Sequence, residues 1–120
     1  MSDEWRTPYW LMQFFEGWDD PAQPGRTDGL TREWGDPTYV NPPYSDITPW
    51  VRQAIFEAKR GKRVAMLLPH DSSTVWWWIL HEAGAHFLAI QGRLRYSETG
   101  WARWASVLVL IPRSNGGGGG

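Results

Sequence analysis

The chain has 120 residues, 42% of them hydrophobic, and a formal net charge of -1; this suits one globular domain and excludes a global basic field as the means of holding nucleic acid. It contains no cysteine, which rules out disulfides, Cys-type zinc sites and thiol nucleophiles and fits a reducing compartment, so a cytoplasmic protein is expected. No apolar run reaches the roughly 18 residues of a membrane helix, and the opening "MSDEWRTP" is acidic and polar, unlike a secretory signal.

In chain order, "YWLMQFFE" carries apolar residues at helical spacing after Pro8, predicting a short N-terminal helix. Residues 17–35 are rich in Gly, Pro and Asp and read as loops with room for one short strand. "PTYV" is a short strand leading to Asn41, and "SDITPWVRQAIFEAKRGKR" is a helix with an apolar stripe of Trp50, Val51, Ala54, Ile55 and Ala58, ended near Gly61. "RVAMLLP" is the continuous apolar run of a strand buried on both faces. "DSSTVWWWILHEAGA" predicts a second helix capped by Asp71, Ser72 or Ser73 and ending near Gly84. "HFLAIQGRLRY" and "WASVLVLIP" are strands that pair as a C-terminal antiparallel hairpin through "SETGWAR". Residues 1–112 therefore form the domain, and the Gly-rich tail 113–120 is expected to be disordered. The alternation predicts an α/β fold, a reduced Rossmann-like doubly wound sheet of about five mostly parallel strands with helices on both faces.

In such sheets ligands sit beyond the carboxyl ends of the strands. Three loops qualify: the one around Asp20, the corner at Asn41, and the stretch after Pro69. At the corner, Pro42 and Pro43 hold Asn41 and Pro42 in extended geometry and contribute no N–H. The Asn41 side-chain oxygen and the Pro42 carbonyl thus form a rigid acceptor pair beside the Tyr44 ring. That set suits a planar heterocycle with an exocyclic amine, the oxygens accepting from the NH₂ while the ring stacks. Accepting both N–H bonds favours a tetrahedral nitrogen whose lone pair can attack an electrophile held in line.

The ordered set "DEWRTPYWL", "NPPYS" followed by a Trp, "VAMLLP", "TVWWW", "GRLRY" and "ASVLVLIP" resembles the phage-type, Dam-like DNA N6-adenine methyltransferases over most of the chain. The resemblance implies a methyltransferase fold, S-adenosylmethionine as methyl donor, and the N6 amine of adenine in DNA as acceptor. Asn41, Pro42, Pro43 and Tyr44 match the family's catalytic tetrad, and the target base would be flipped out of the stack. By the same resemblance Trp5, Thr7 and Pro8 contribute to the methionine end of the cofactor, with Thr7 donating to its carboxylate. "DDPA" is similar to the family's acidic strand end, where Asp20, with Asp19 the second choice, binds the cofactor's amino group or ribose beside Pro21 and Ala22. Asp28 and Leu30 of "TDGL" would edge the cofactor's adenine, and Asn41 also borders the cofactor. No metal is implied. Phage enzymes of this kind suggest protection of DNA against restriction.

The chain also departs from the family pattern. Its glycine-rich cofactor loop is abbreviated, the interval from Asp20 to Asn41 lacks room for two further strands, and no segment is long enough for a target-recognition domain. A short or relaxed sequence preference, or a second subunit completing the DNA surface, is the expected consequence. Nucleic-acid contacts fall on Arg93, Arg95, Trp101 and Arg103, a basic and aromatic mixture around a predicted turn. The 10 tryptophans include the run Trp76–Trp78, which lies on a helix where successive side chains diverge by about 100°, so one should face outward and serve a homodimer interface. Two other readings stay open: a catalytically silent nucleic-acid-binding relative, and a methyltransferase acting on RNA adenine or a protein glutamine.

Overall fold

The computed structural model describes residues 11, 13–90 and 105–114. Its centre is β2 (Val64–Pro69), buried along its whole length as its unbroken apolar run requires. β1 (Thr38–Val40) lies parallel to it in the register Val40 with Met66. On the other side β4 (Ser106–Ile111) is antiparallel to β2, pairing Met66 with Val109, and β3 (His86–Ala89) is antiparallel to β4, pairing Phe87 with Val109. The order is β1-β2-β4-β3. β1, β2 and β3 thus run in one direction, and β4 is inserted between β2 and β3 against both.

This corrects the expected sheet of about five mostly parallel strands: among the described residues it has four strands, and β1 with β2 is the one parallel pair in its ladder. The C-terminal antiparallel hairpin pairing is present as expected. A fifth strand does not develop from residues 17–35 because Pro21 and Pro24 remove ladder donors and Gly17 and Gly25 turn the backbone through positive φ. Only one parallel bridge, Asp19 to Thr38, marks that edge.

Helix α1 (Thr48–Lys59) starts on Pro49 and ends where Gly61, at φ 97°, donates its N–H to the Ala58 carbonyl. Helix α2 (Val75–Glu82) is capped by Thr74, whose hydroxyl accepts from the Trp77 N–H. Asp71, an expected cap, instead accepts from the N–H and hydroxyl of Ser73, so it fixes the loop one turn earlier. Both helices pack on the same face, where Trp50, Val51, Ala54, Trp76 and Leu80 meet Val40, Met66, Leu68, Val107 and Val109. On the second face, where helices are also expected, Tyr39, Ala65 and Leu67 meet Leu11, Phe15 and Trp18. Of the predicted N-terminal helix, the described part is Leu11, which is helical, and one 3-10 turn, Gln13–Phe15. At the other end Ser114 still donates its N–H to the Ala58 carbonyl, so the first residues of the expected tail are tied to α1.

Candidate functional site

Because β1 and β2 are parallel, their carboxyl ends open on one rim, and the loop around Asp20 joins them there. The Asp19 N–H donates to the Pro37 carbonyl and the Tyr39 N–H to the Asp19 carbonyl, both at 2.9 Å. Residues 20–22 therefore leave the sheet beside residues 39–41. Asn41 follows β1 directly and is 8% exposed. Pro42 is buried, Pro43 and Tyr44 are half-buried, and the Tyr44 ring packs against the main core. The tetrad is thus held from behind by the core, while Ser45 and Asp46 beyond it are exposed.

The segment carrying Asp28 and Leu30 is pressed onto the same rim through Gly29, which is buried. A Cβ at position 29 would overlap the Pro21 carbonyl and the Trp50 indole. The Trp34 indole N–H donates to the Gly29 carbonyl at 2.6 Å, and the Trp34 ring stacks on Trp50 with centroids 6.2 Å apart. Gly29→Ala is therefore expected to lower stability by about 1–3 kcal/mol through overpacking, read as a lower urea midpoint. Unchanged stability would show that the loop is not clamped this way.

The two aspartates beside β1 have different environments. Asp19 takes the Arg32 guanidinium with both oxygens, at 2.9 and 3.0 Å, and accepts N–H bonds from Gly35 at 2.8 Å and Asp20 at 3.0 Å. Burial pushes its carboxyl up, but Arg32 and these N–H groups outweigh burial and hold it below the usual aspartate range. Its oxygens are spent on shaping the loop. Asp20 is half-buried, and among the described residues its carboxylate accepts no hydrogen bond. Burial, with the neighbouring Asp19 charge, pushes its carboxyl up against a smaller opposing pull from Arg26. A desolvated carboxylate on this rim fits the ammonium or hydroxyl group of a ligand.

Asp28 and Leu30 are exposed on the clamped loop, Asp28 within 3.5 Å of Arg26 and 3.7 Å of Arg32. Arg26 and Arg32 are engaged with Asp19 and Asp28. The rim thus gathers Asp20, Pro21, Ala22, Asp28, Leu30 and Asn41 to Tyr44. Trp5, Thr7, Pro8, Arg93, Arg95, Trp101 and Arg103 lie outside the described residues. The sequence motifs do not single out Trp34 or Glu57, which with Arg32 hold the loop in place. A lone glutamate on the inner face of the α1 pattern was the one available signal. Trp78 is the outward member of the Trp76–Trp78 run, 52% exposed, while Trp76 is buried.

A parallel βαβ unit with a proline-fixed polar corner at its carboxyl rim defines an α/β protein whose candidate site lies where open sheets usually bind ligands. The family model described as DNA N-6-adenine-methyltransferase (Dam) matches residues 24–108. The chain belongs to that family. It is 30% identical over 112 residues to a DNA N-6-adenine-methyltransferase of Escherichia phage T1, covering 78% of this chain and 47% of the relative. It is also 33% identical over 95 residues to a DNA N-6-adenine-methyltransferase of Haemophilus phage HP1 (strain HP1c1), covering 63% of this chain and 55% of the relative. The chain therefore spans about half the length of the curated relatives it matches. No solved structure matches it. No helix among the described residues is long and apolar enough to cross a membrane.

Proposed function

We propose that this chain transfers a methyl group from S-adenosylmethionine to the N6 amine of adenine in DNA. The observation that carries the reading is the placement of the Asn41–Tyr44 corner and the unsatisfied Asp20 carboxylate side by side on one rim of a member of this family. The residues present fit the cofactor: Asp20 for its amino group or ribose hydroxyls, and Leu30, 40% exposed on the clamped loop, for its adenine face. When bound, S-adenosylmethionine supplies an electrophilic methyl group.

The Asn41 side-chain oxygen and the Pro42 carbonyl accept the two N6 protons of a flipped adenine, and Tyr44 stacks on its ring. With the cofactor bound, N6 held by these acceptors would take its methyl group, the N–CH₃ bond forming as the S–CH₃ bond breaks, and the surplus N6 proton would leave to water. The same acceptors stabilise the positive charge that develops on N6 in the transition state. Pro42 and Pro43 keep them fixed, so little reorganisation accompanies the reaction.

Incubation with methyl-labelled S-adenosylmethionine and unmodified DNA, RNA or protein tests the proposal. Label in DNA as N6-methyladenine is the expected result, and label only in RNA or protein would overturn the DNA assignment. Asp20→Asn is expected to weaken cofactor binding roughly 10- to 100-fold, as loss of hydrogen bonds to a charged group does. The same change should leave the thermal midpoint of the free protein level or higher, because a carboxyl pushed up by burial costs stability when ionised. A fall in that midpoint with unchanged cofactor affinity would make Asp20 structural. Association of two copies through exposed Trp78 belongs to the same reading, and concentration-dependent sedimentation of Trp78→Ser against the parent chain decides it.

A further inference from the structure

β2 extends three residues beyond the point where β1 ends, since Val40 pairs with Met66 and the strand continues through Leu67, Leu68 and Pro69. His70 follows at once. It stands on the same rim as Asn41, one strand over and further out. Its N–H donates to the Ala105 carbonyl at 2.8 Å, which fixes the backbone at that point. Its exposed imidazole lies flat on the Trp77 indole, with centroids 5.3 Å apart and planes 8° from parallel. Trp77 is itself immobilised: its ring packs on Phe87 at 4.4 Å, and its N–H reaches the Thr74 hydroxyl that caps α2. Among the described residues no side-chain hydrogen bond holds the imidazole, so the indole beneath it sets its orientation.

An exposed aromatic ring held flat at the rim of a sheet is a stacking surface. A nucleobase has a π-face whatever its identity, so such a shelf binds without reading sequence. We propose that His70, propped on Trp77, is the shelf on which a nucleobase next to the flipped adenine stacks. The inference rests on the reading that this chain acts on adenine in DNA. His70 touches substrate but not the reacting atoms, so it acts on DNA affinity and not on methyl transfer. A base contact of this kind holds the strand open beside an extruded nucleotide without a sequence requirement.

The test compares the full chain with His70→Ala and His70→Phe, measuring kcat, KM for DNA, cofactor affinity, and anisotropy of a labelled oligonucleotide. His70→Ala is expected to raise KM and weaken oligonucleotide binding roughly 5- to 100-fold, the range for one stacked base, with kcat and cofactor affinity unchanged. His70→Phe is expected to restore binding, because it keeps a flat ring and removes the imidazole nitrogens. An oligonucleotide abasic beside the target adenine should bind the parent chain and His70→Ala equally. Failure of His70→Phe to restore binding, or a His70→Ala effect that persists on the abasic oligonucleotide, would overturn the shelf. If no DNA is methylated but His70→Ala still weakens binding to the intact oligonucleotide alone, the catalytic reading fails and the shelf stands.

Discussion

Asn41→Ala is expected to reduce kcat for methyl transfer at least about 100-fold, the usual effect of removing one preorganised group that stabilises developing charge. Cofactor affinity should fall far less. The target amine is a weak nucleophile because its lone pair is delocalised into the ring, and the proposed chemistry depends on two acceptors drawing that lone pair out. Only one comes from a side chain; the other is the Pro42 carbonyl, which no substitution at position 41 removes. Some activity should therefore remain. Asn41 is 8% exposed at the end of β1, so its replacement also disturbs a buried polar residue. Asn41→Asp separates the two effects: it keeps an acceptor oxygen in nearly the same volume and should retain more activity than alanine at equal or lower stability. Single-turnover rates with saturating cofactor and DNA measure the difference. An alanine variant as active as the parent chain would remove Asn41 from the mechanism.

Much of what places this corner is written locally. β2 is legible because six consecutive apolar or proline residues fit nothing but a strand covered on both faces, and Asn41–Tyr44 is legible because two prolines dictate a backbone shape by themselves. The place of β4 in the sheet is not. An apolar run such as "SVLVLI" buries equally well at the edge or in the centre, and its insertion between β2 and β3 follows from how the chain returns, which periodicity does not encode. The choice between Asp19 and Asp20 is also not local. Adjacent aspartates read alike until Arg32, thirteen residues on, folds back and takes both oxygens of one of them. Thr74 displaced Asp71 as helix cap for a similar reason: several polar residues in a row all have the right chemistry, and only the backbone decides which one sits one turn before Trp77.

Glu57 is where the loop and the core depend on one another, and Glu57→Ala is expected to lower stability by about 3–5 kcal/mol, the cost of removing one partner of a buried pair. The carboxylate has no exposed surface. It accepts from the Trp34 N–H at 2.9 Å and the Gln53 amide at 3.0 Å, and its second oxygen lies 2.9 Å from the Lys62 ammonium. Lys62 also donates to Glu33 at 2.7 Å and to the Trp34 carbonyl at 2.6 Å. Alanine would leave a buried N–H unsatisfied and an ammonium half-compensated, against a total stability of only about 5–15 kcal/mol for a domain. Burial pushes the Glu57 carboxyl up, but the Trp34 N–H and Lys62, with Gln53, outweigh it and hold the group below the usual glutamate range. A depressed carboxyl contributes stability in full above its unfolded value, about 4.3, and loses it as the pH falls through the lower folded value. Asp19 is depressed too and adds to the same acid limb, whereas Asp20, pushed up, opposes it. Glu57→Gln keeps acceptors for Trp34 but not the charge, so it should lose less than alanine near neutrality and flatten the acid limb of urea midpoint against pH. Because Trp34 in turn holds Gly29 against Pro21 and Trp50, loss of Glu57 should also loosen the loop that carries Asp28 and Leu30. Hydrogen exchange at residues 28–35 should rise more in Glu57→Ala than in Glu57→Gln, which keeps the Trp34 bond, and equal protection there in the two variants would show that the carboxylate steadies α1 alone.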